Sequence, residues 1–278
     1  MMKKILAAFI AAFALLSCTS QKQGDADTAQ ENKVLVLYYS QTGATKTVAE
    51  EIQNQLGADI EAIEVETPYD GDFQQTIERC QKEMAENTLP ALKPMKANIE
   101  DYDVIFLGFP VWFGTYARPI ATLVADNAFE GKKIVPFCTF GSGGIEACTE
   151  DLKKALPKAE IATGYGVRNA RIAAAGKELN RFLIEWEYKK GEIEALPAFM
   201  EHKPVTDAEA QIFDEACGDY QFPLGTPADV AIRETEDATE YEFGVVSKGE
   251  DGSEAQSTIY VVVGKEDGSK PEFTKVVR

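Results

Sequence analysis

The chain has 278 residues, 45% of them hydrophobic, enough apolar side chain for a sizeable core and for about two domains. Its formal charge of −18 and pI near 4.6 argue against a nucleic-acid partner, because binding a phosphate backbone needs a basic surface. A single His202 excludes a multi-histidine metal site, and the scattered acids read as a solvated surface.

At the N-terminus, Lys3 and Lys4 precede an apolar stretch over residues 5–16 that is too short for a mature transmembrane helix. The following Leu15-Leu16-Ser17-Cys18 resembles the lipobox of bacterial lipoproteins. Cleavage before Cys18 makes residues 1–17 a signal peptide and Cys18 the lipidated N-terminus, anchored to a membrane without spanning it. The alternative is an ordinary signal peptide or a true transmembrane segment with an incidental cysteine. Removal of residues 1–17 deletes two lysines and no acids, which takes the formal charge to −20. Residues 18–32 then form a polar tether with a reach on the order of 20 Å. The expected location is exported, on the periplasmic or the outer face. With no twin arginine before the apolar stretch, the chain is expected to cross the membrane unfolded and without cofactor.

Residues 34–47, VLVLYYSQTGATKT, run a buried-type strand into a hydroxyl-rich turn and a helix. Ser40, Thr42, Gly43 and Thr45 fall where the first amides of that helix are unpaired, so hydroxyls, amides and the positive helix end can converge on one phosphate. The bland alternative is a strand-turn-helix whose Ser and Thr only cap the helix. Val48, Ile52 and Leu56 recur at helical spacing before a Gly57 C-cap. Residues 58–65 suit an edge strand and residues 73–87 a helix. Residues 103–109 form a second buried strand, ending in a Gly108-Phe109-Pro110-Val111-Trp112-Phe113-Gly114-Thr115 loop whose Trp112 and Phe113 suit a planar ring. After a helix over 117–126, residues 133–139 form a third strand, ending in Phe140-Gly141-Ser142-Gly143-Gly144, where small residues permit close backbone approach. A helix over 146–156, a strand over 161–167 and a helix over 176–188 continue the alternation, with Leu179, Phe182, Leu183 and Trp186 on a core face. This order predicts an α/β doubly wound five-stranded parallel sheet over residues 33–190. In such a sheet ligands bind beyond the strand C-termini, where all three irregular stretches lie. A phosphate loop, a ring-stacking pair and a small-residue loop together describe a flavin mononucleotide (FMN) site.

Ser40-Gln41-Thr42-Gly43-Ala44-Thr45 after a hydrophobic strand resembles the phosphate loop of the flavodoxin family, and Pro110-Val111-Trp112-Phe113-Gly114 resembles the flavin-flanking loop of one flavodoxin-like branch. The resemblance covers roughly residues 33–187. It implies that Ser40 to Thr45 hold the phosphate of FMN, that Pro110 to Gly114 border the isoalloxazine, and that Thr139, Phe140, Gly141, Ser142, Gly143 and Gly144 close the other side. Where related flavodoxins stack a Tyr on the outer flavin face, this third loop offers only Phe140.

After residue 190 the periodicity changes. Residues 196–204 read as a linker and 207–217 as a helix with Ile212, Phe213 and Ala216 on one face. Tyr241, Phe243 and Val245, then Ile259, Val261 and Val263, alternate with period two around turn-rich 248–252 and 264–269, and 230–233 and 273–277 suit outer strands. Residues 206–278 are therefore expected to form a small α+β domain with an antiparallel meander, a packing or docking module. Cys80, Cys138, Cys148 and Cys217 show no C-x-x-C pair; Cys138 and Cys148 read as small buried hydrophobes, and in an exported chain two of the four could pair, with no spacing that identifies which. The expected function is that of an FMN-binding redox protein exchanging electrons with a partner protein or a small-molecule acceptor. The alternatives are an FMN-dependent NAD(P)H quinone or nitro-compound reductase, and a non-redox binding module.

Overall fold

The computed structural model describes residues 32–69, 73–126, 129–141, 143–193, 195–218, 220, 224–248 and 252–277; the Cys18 region and Ser142 lie outside them. In chain order the first part contains β1 (Val34–Tyr38), α1 (Ala44–Leu56), β2 (Asp59–Ala62), α2 (Phe73–Ala85), β3 (Val104–Trp112), β4 (Thr115–Tyr116), α3 (Arg118–Asp126), β5 (Lys133–Phe140), α4 (Ile145–Ala155), β6 (Glu160–Ile161), β7 (Tyr165–Arg168) and α5 (Ala175–Glu185). Its sheet runs β2-β1-β3-β5, with β6 and β7 sharing the last edge and β4 folded back on β3. Apart from that hairpin every pairing is parallel.

The central strands read as unbroken apolar runs because both faces are covered. Leu35, Leu37, Ile105, Leu107 and Phe109 pack with Ile120 of α3 and Leu152 of α4. The alternate residues Val36, Val104, Phe106 and Phe137 pack with Val48 and Ile52 of α1 and with Leu179 and Leu183 of α5. Gly108 lies opposite Phe137 in the register, and a Cβ on it would stand 2.1 Å from Phe137 Cζ. Only glycine leaves room for that ring.

The strand expected over 161–167 is two short pieces. Pro136 sits mid-strand in β5, and Ala162 N donates to Ile134 O at 2.9 Å, so Ile134 and, two residues on, Pro136 turn their backbone groups toward this edge. Pro136 has no N–H to offer there. The ladder stops after Ile134↔Ile161 and resumes at Phe137↔Tyr165. Trp186 is also not core: it is 45% exposed at the end of α5. Glu187 takes a left-handed φ of 60° while Tyr188 N donates to Leu183 O at 2.8 Å, a Schellman-type stop. That turn sends Tyr188 back onto Phe106 and Phe182 instead.

The second part comprises β8 (Lys203–Pro204), α6 (Asp207–Cys217), β9 (Thr226–Glu234), β10 (Ala238–Lys248), β11 (Glu254–Gly264) and β12 (Glu272–Val277). It is an antiparallel sheet in the order β12-β11-β10-β9-β8. Thr206 and Glu209 cap α6 reciprocally, and Phe213 and Cys217 pack it onto Val230, Phe243, Val245, Ile259, Val261 and Phe273. The approach to β8 is not a free linker. Phe199 lies beneath the Arg233 guanidinium and beside Tyr260, and Met200 N donates to Ile232 O at 2.9 Å.

Candidate functional site

The first loop leaves β1 with Tyr39 N donating to Gly108 O at 2.9 Å, one step beyond the ladder. Ser40 Oγ accepts from both Gly43 N and Lys46 N at 3.2 Å, drawing the turn under the start of α1. Gly43 is the N-cap with a φ of 96°, a conformation that suits glycine, and it offers no capping side chain. The amides of Ala44 and Thr45 in the first turn have no intrahelical acceptor, and that turn carries no carboxylate. This is an anion-binding helix terminus in donor set and polarity.

The hydroxyls are distributed differently from expectation. Thr42 is exposed, but Thr45 is 1% exposed and its Oγ1 shares a hydrogen bond of 2.9 Å with Thr139 Oγ1, itself 2% exposed. Thr45 therefore offers the site its amide and ties the first loop to the third with its hydroxyl. Gln41 also turns away, donating to Tyr69 O at 3.1 Å and Thr76 Oγ1 at 2.8 Å.

The second stretch is a hairpin, where an irregular loop was expected: β3 continues through Pro110, Val111 and Trp112, and Trp112 pairs with Thr115. The two-residue turn between them has φ of 51° at Phe113 and 80° at Gly114, both positive as a type I′ turn requires. A left-handed Phe is uncommon, and the residue is 52% exposed at the tip. Thr115 Oγ1 donates to Asp151 Oδ2 at 2.8 Å, fixing the hairpin to α4. Trp112 is half-buried, edge-on to Tyr39 at 5.7 Å and to Tyr69 at 5.0 Å between centroids. Arg79 lies over the Tyr69 ring at 3.7 Å, and Tyr69 Oη donates to Glu83 at 2.6 Å. Burial raises the pKa of both tyrosines, which stay neutral.

In the third loop Phe140 ends β5 buried in the core, 4% exposed, with its ring close to Gly166. The one aromatic that this loop could offer is therefore turned inward. Gly141 is exposed and its carbonyl accepts from Arg168 Nε at 3.2 Å. Gly143, with φ of 104°, stands where a Cβ would meet Val111 Cγ1 at 3.5 Å, so the second and third loops touch. Gly144 is the N-cap of α4.

The structure thus brings Ser40, Gly43, Ala44, Thr45, Trp112, Gly114, Thr139, Gly141, Gly143 and Gly144 to the C-terminal ends of three adjacent strands. Tyr39, Tyr69 and Arg168 join them without having been expected. Tyr39 directly precedes the first motif and could have been suspected, whereas Tyr69 and Arg168 carry no local pattern. The four cysteines among the described residues are buried and free, and burial pushes the thiols up, to about 11 for Cys80 and about 12 for Cys148. None is an activated nucleophile. Among the described residues no helix is long and apolar enough to cross a membrane.

A parallel α/β sheet in this order, with a helix-terminus anion site between aromatic and glycine loops, defines a flavodoxin-like flavoprotein fold. The chain belongs to the flavodoxin family: the family model described as "Flavodoxin" matches residues 33–182, more than half of the chain. Among solved structures it is similar to a candidate flavoprotein of Bacteroides eggerthii, at 32% identity over 54% of this chain and 98% of that one, with a TM-score of 0.46. It is also similar to a flavoprotein of Lactobacillus acidophilus solved in complex with FMN, at 25% identity over 51% of this chain and 97% of that one, with a TM-score of 0.45. No curated protein matches.

Proposed function

We propose that the chain is an FMN-binding redox protein, exported and lipid-anchored through Cys18, that passes electrons to or from a protein partner. The observation that carries the reading is the N-terminus of α1. Two unpaired amides, a left-handed glycine cap and the absence of any first-turn carboxylate suit a phosphate monoester and need no basic residue. The Ala44 and Thr45 amides and the exposed Thr42 hydroxyl would hold the phosphate, with Ser40 Oγ orienting the turn. Trp112, kept in place by Tyr39 and Tyr69, would border the flavin ring and exclude water from it, and the backbone of Gly141, Gly143 and Gly144 would lie along its other side. Bound FMN supplies one- and two-electron chemistry, while the protein supplies position and electrostatics. A formal charge of −20 after signal removal opposes further negative charge on a reduced flavin, so a low reduction potential is expected.

The test is to purify the chain from Thr19 onward and titrate it with FMN. Saturable quenching of flavin fluorescence at unit stoichiometry is the expected result, and no binding refutes the reading. Oxidation of NADH or NADPH by the loaded protein would turn the carrier into a reductase. The anchor is tested separately in the full chain, where Cys18→Ala should release the protein from the membrane fraction.

A further inference from the structure

The antiparallel sheet lies outside the flavodoxin match, yet one side chain connects it to the third loop. Arg168 closes β7 beside Phe140 in the ladder, which sets it next to Gly141. Its Nε donates to Gly141 O at 3.2 Å and its Nη1 to Phe273 O of β12 at 3.0 Å. The guanidinium stands 4.3 Å from the Phe273 ring centroid and 5.6 Å from that of Tyr220, both in the second part of the chain. Lys275 of β12 also lines a cleft of about 670 Å³ with Phe140, Gly144 and Gly166, so β12 abuts the third loop at a second point. Three residues further along, Arg171 pairs with Glu272 at 2.9 Å and with Glu178 at 2.8 Å, and neither pair involves a described residue of that loop.

We propose that Arg168 is a positioning residue through which the antiparallel sheet sets the backbone conformation of Gly141, Gly143 and Gly144 and thereby the affinity for FMN. The inference rests on the FMN reading. A loop containing Gly141, Gly143 and Gly144 has much backbone freedom, and ordering each residue on binding costs about 1–2 kcal/mol. A guanidinium that already holds the Gly141 carbonyl removes part of that cost in advance, which is preorganisation. Because its other arm is held by Phe273, the loop inherits the rigidity of β12. Linkage makes the effect mutual: FMN binding should protect β12.

Arg168→Ala should raise the FMN dissociation constant about tenfold, the equivalent of one hydrogen bond of roughly 1.4 kcal/mol. Arg168→Lys, a point donor that cannot serve two diverging carbonyls, should recover only part of it. Arg171→Gln, which loosens the same junction without touching Gly141, should lower the melting temperature and leave the dissociation constant within about twofold. Equal weakening by the Arg168 and Arg171 variants, or none by Arg168→Ala, overturns the proposal. Amide exchange in the ligand-free protein provides a readout without flavin: Arg168→Ala should speed exchange at Gly143, Gly144 and Thr274 together. If the wild type ignores FMN while exchange is still accelerated, the flavin reading falls and the connection stands; unchanged exchange removes the connection.

Discussion

The buried hydroxyl pair between the first and third loops can be tested quantitatively. Thr45→Val keeps the β-branched shape and the backbone amide but leaves the Thr139 hydroxyl, 2% exposed, without its partner. A buried hydroxyl deprived of its bond costs about 1–3 kcal/mol, and Thr139→Val should cost a similar amount for the same reason. Replacing both removes the unpaired group, so the double variant should return to within about 1 kcal/mol of the wild type, which makes the coupling between the sites at least about 1 kcal/mol. In urea, with a slope of about 2 kcal/mol per molar, each single variant should lose roughly 0.5–1.5 M of midpoint. FMN affinity should hardly change in Thr45→Val, because the amide remains. Additive single effects, or a large loss of FMN affinity without loss of stability, would refute the reasoning and return the Thr45 hydroxyl to the ligand.

Gly108→Ala should destabilise by about 1–3 kcal/mol or more, because its Cβ would overlap the Phe137 ring at 2.1 Å, and adding Phe137→Leu should recover part of the loss in the same unfolding assay. Trp112→Ala should abolish the edge contacts with Tyr39 and Tyr69 and cost about 3 kcal/mol. Unchanged flavin spectra alongside that lowered stability would remove the ring-bordering role. His202 lies between Asp229 at 2.5 Å and Glu242 at 3.0 Å, with Tyr260 also bonded to Glu242, and its hydrogen bonds to the two carboxylates raise its pKa above the ordinary value. A raised folded-state pKa means that this stabilisation is complete below the unfolded value near 6.5 and is lost as pH rises through the folded one. The melting-temperature gap between wild type and His202→Asn should therefore be widest in mild acid and close in alkali, and a gap that grows with pH would contradict it.

The sheet was legible because its central strands are buried on both faces, so β1, β3 and β5 appear as apolar runs, and the turn residues after them mark the ligand end. The features that were not legible depend on long-range partners. Pro136 breaks the neighbouring strand across a sheet pairing. Trp186 fits the helical period, yet a Schellman stop one residue later exchanges it for Tyr188. Thr45 and Thr139 are ninety-four residues apart, so no local pattern shows that their hydroxyls meet. The Phe113-Gly114 turn was hidden because a left-handed Phe breaks the usual turn preferences, a departure that belongs at functional sites.

The buried thiols turn the soluble form of this chain into its own stopwatch. Alkylating reagents attack thiolates, and Cys138, Cys148 and Cys217 are both shielded and held protonated, so each reacts only when its surroundings open. Cys138 and Cys148 sit in β5 and α4, Cys217 in α6, one set for each sheet. Pulse alkylation followed by peptide mass analysis would therefore time the two halves separately in one sample. Identical rates would mean that they come apart in a single event, and a faster Cys217 would mean that the antiparallel half detaches while the parallel half is still closed.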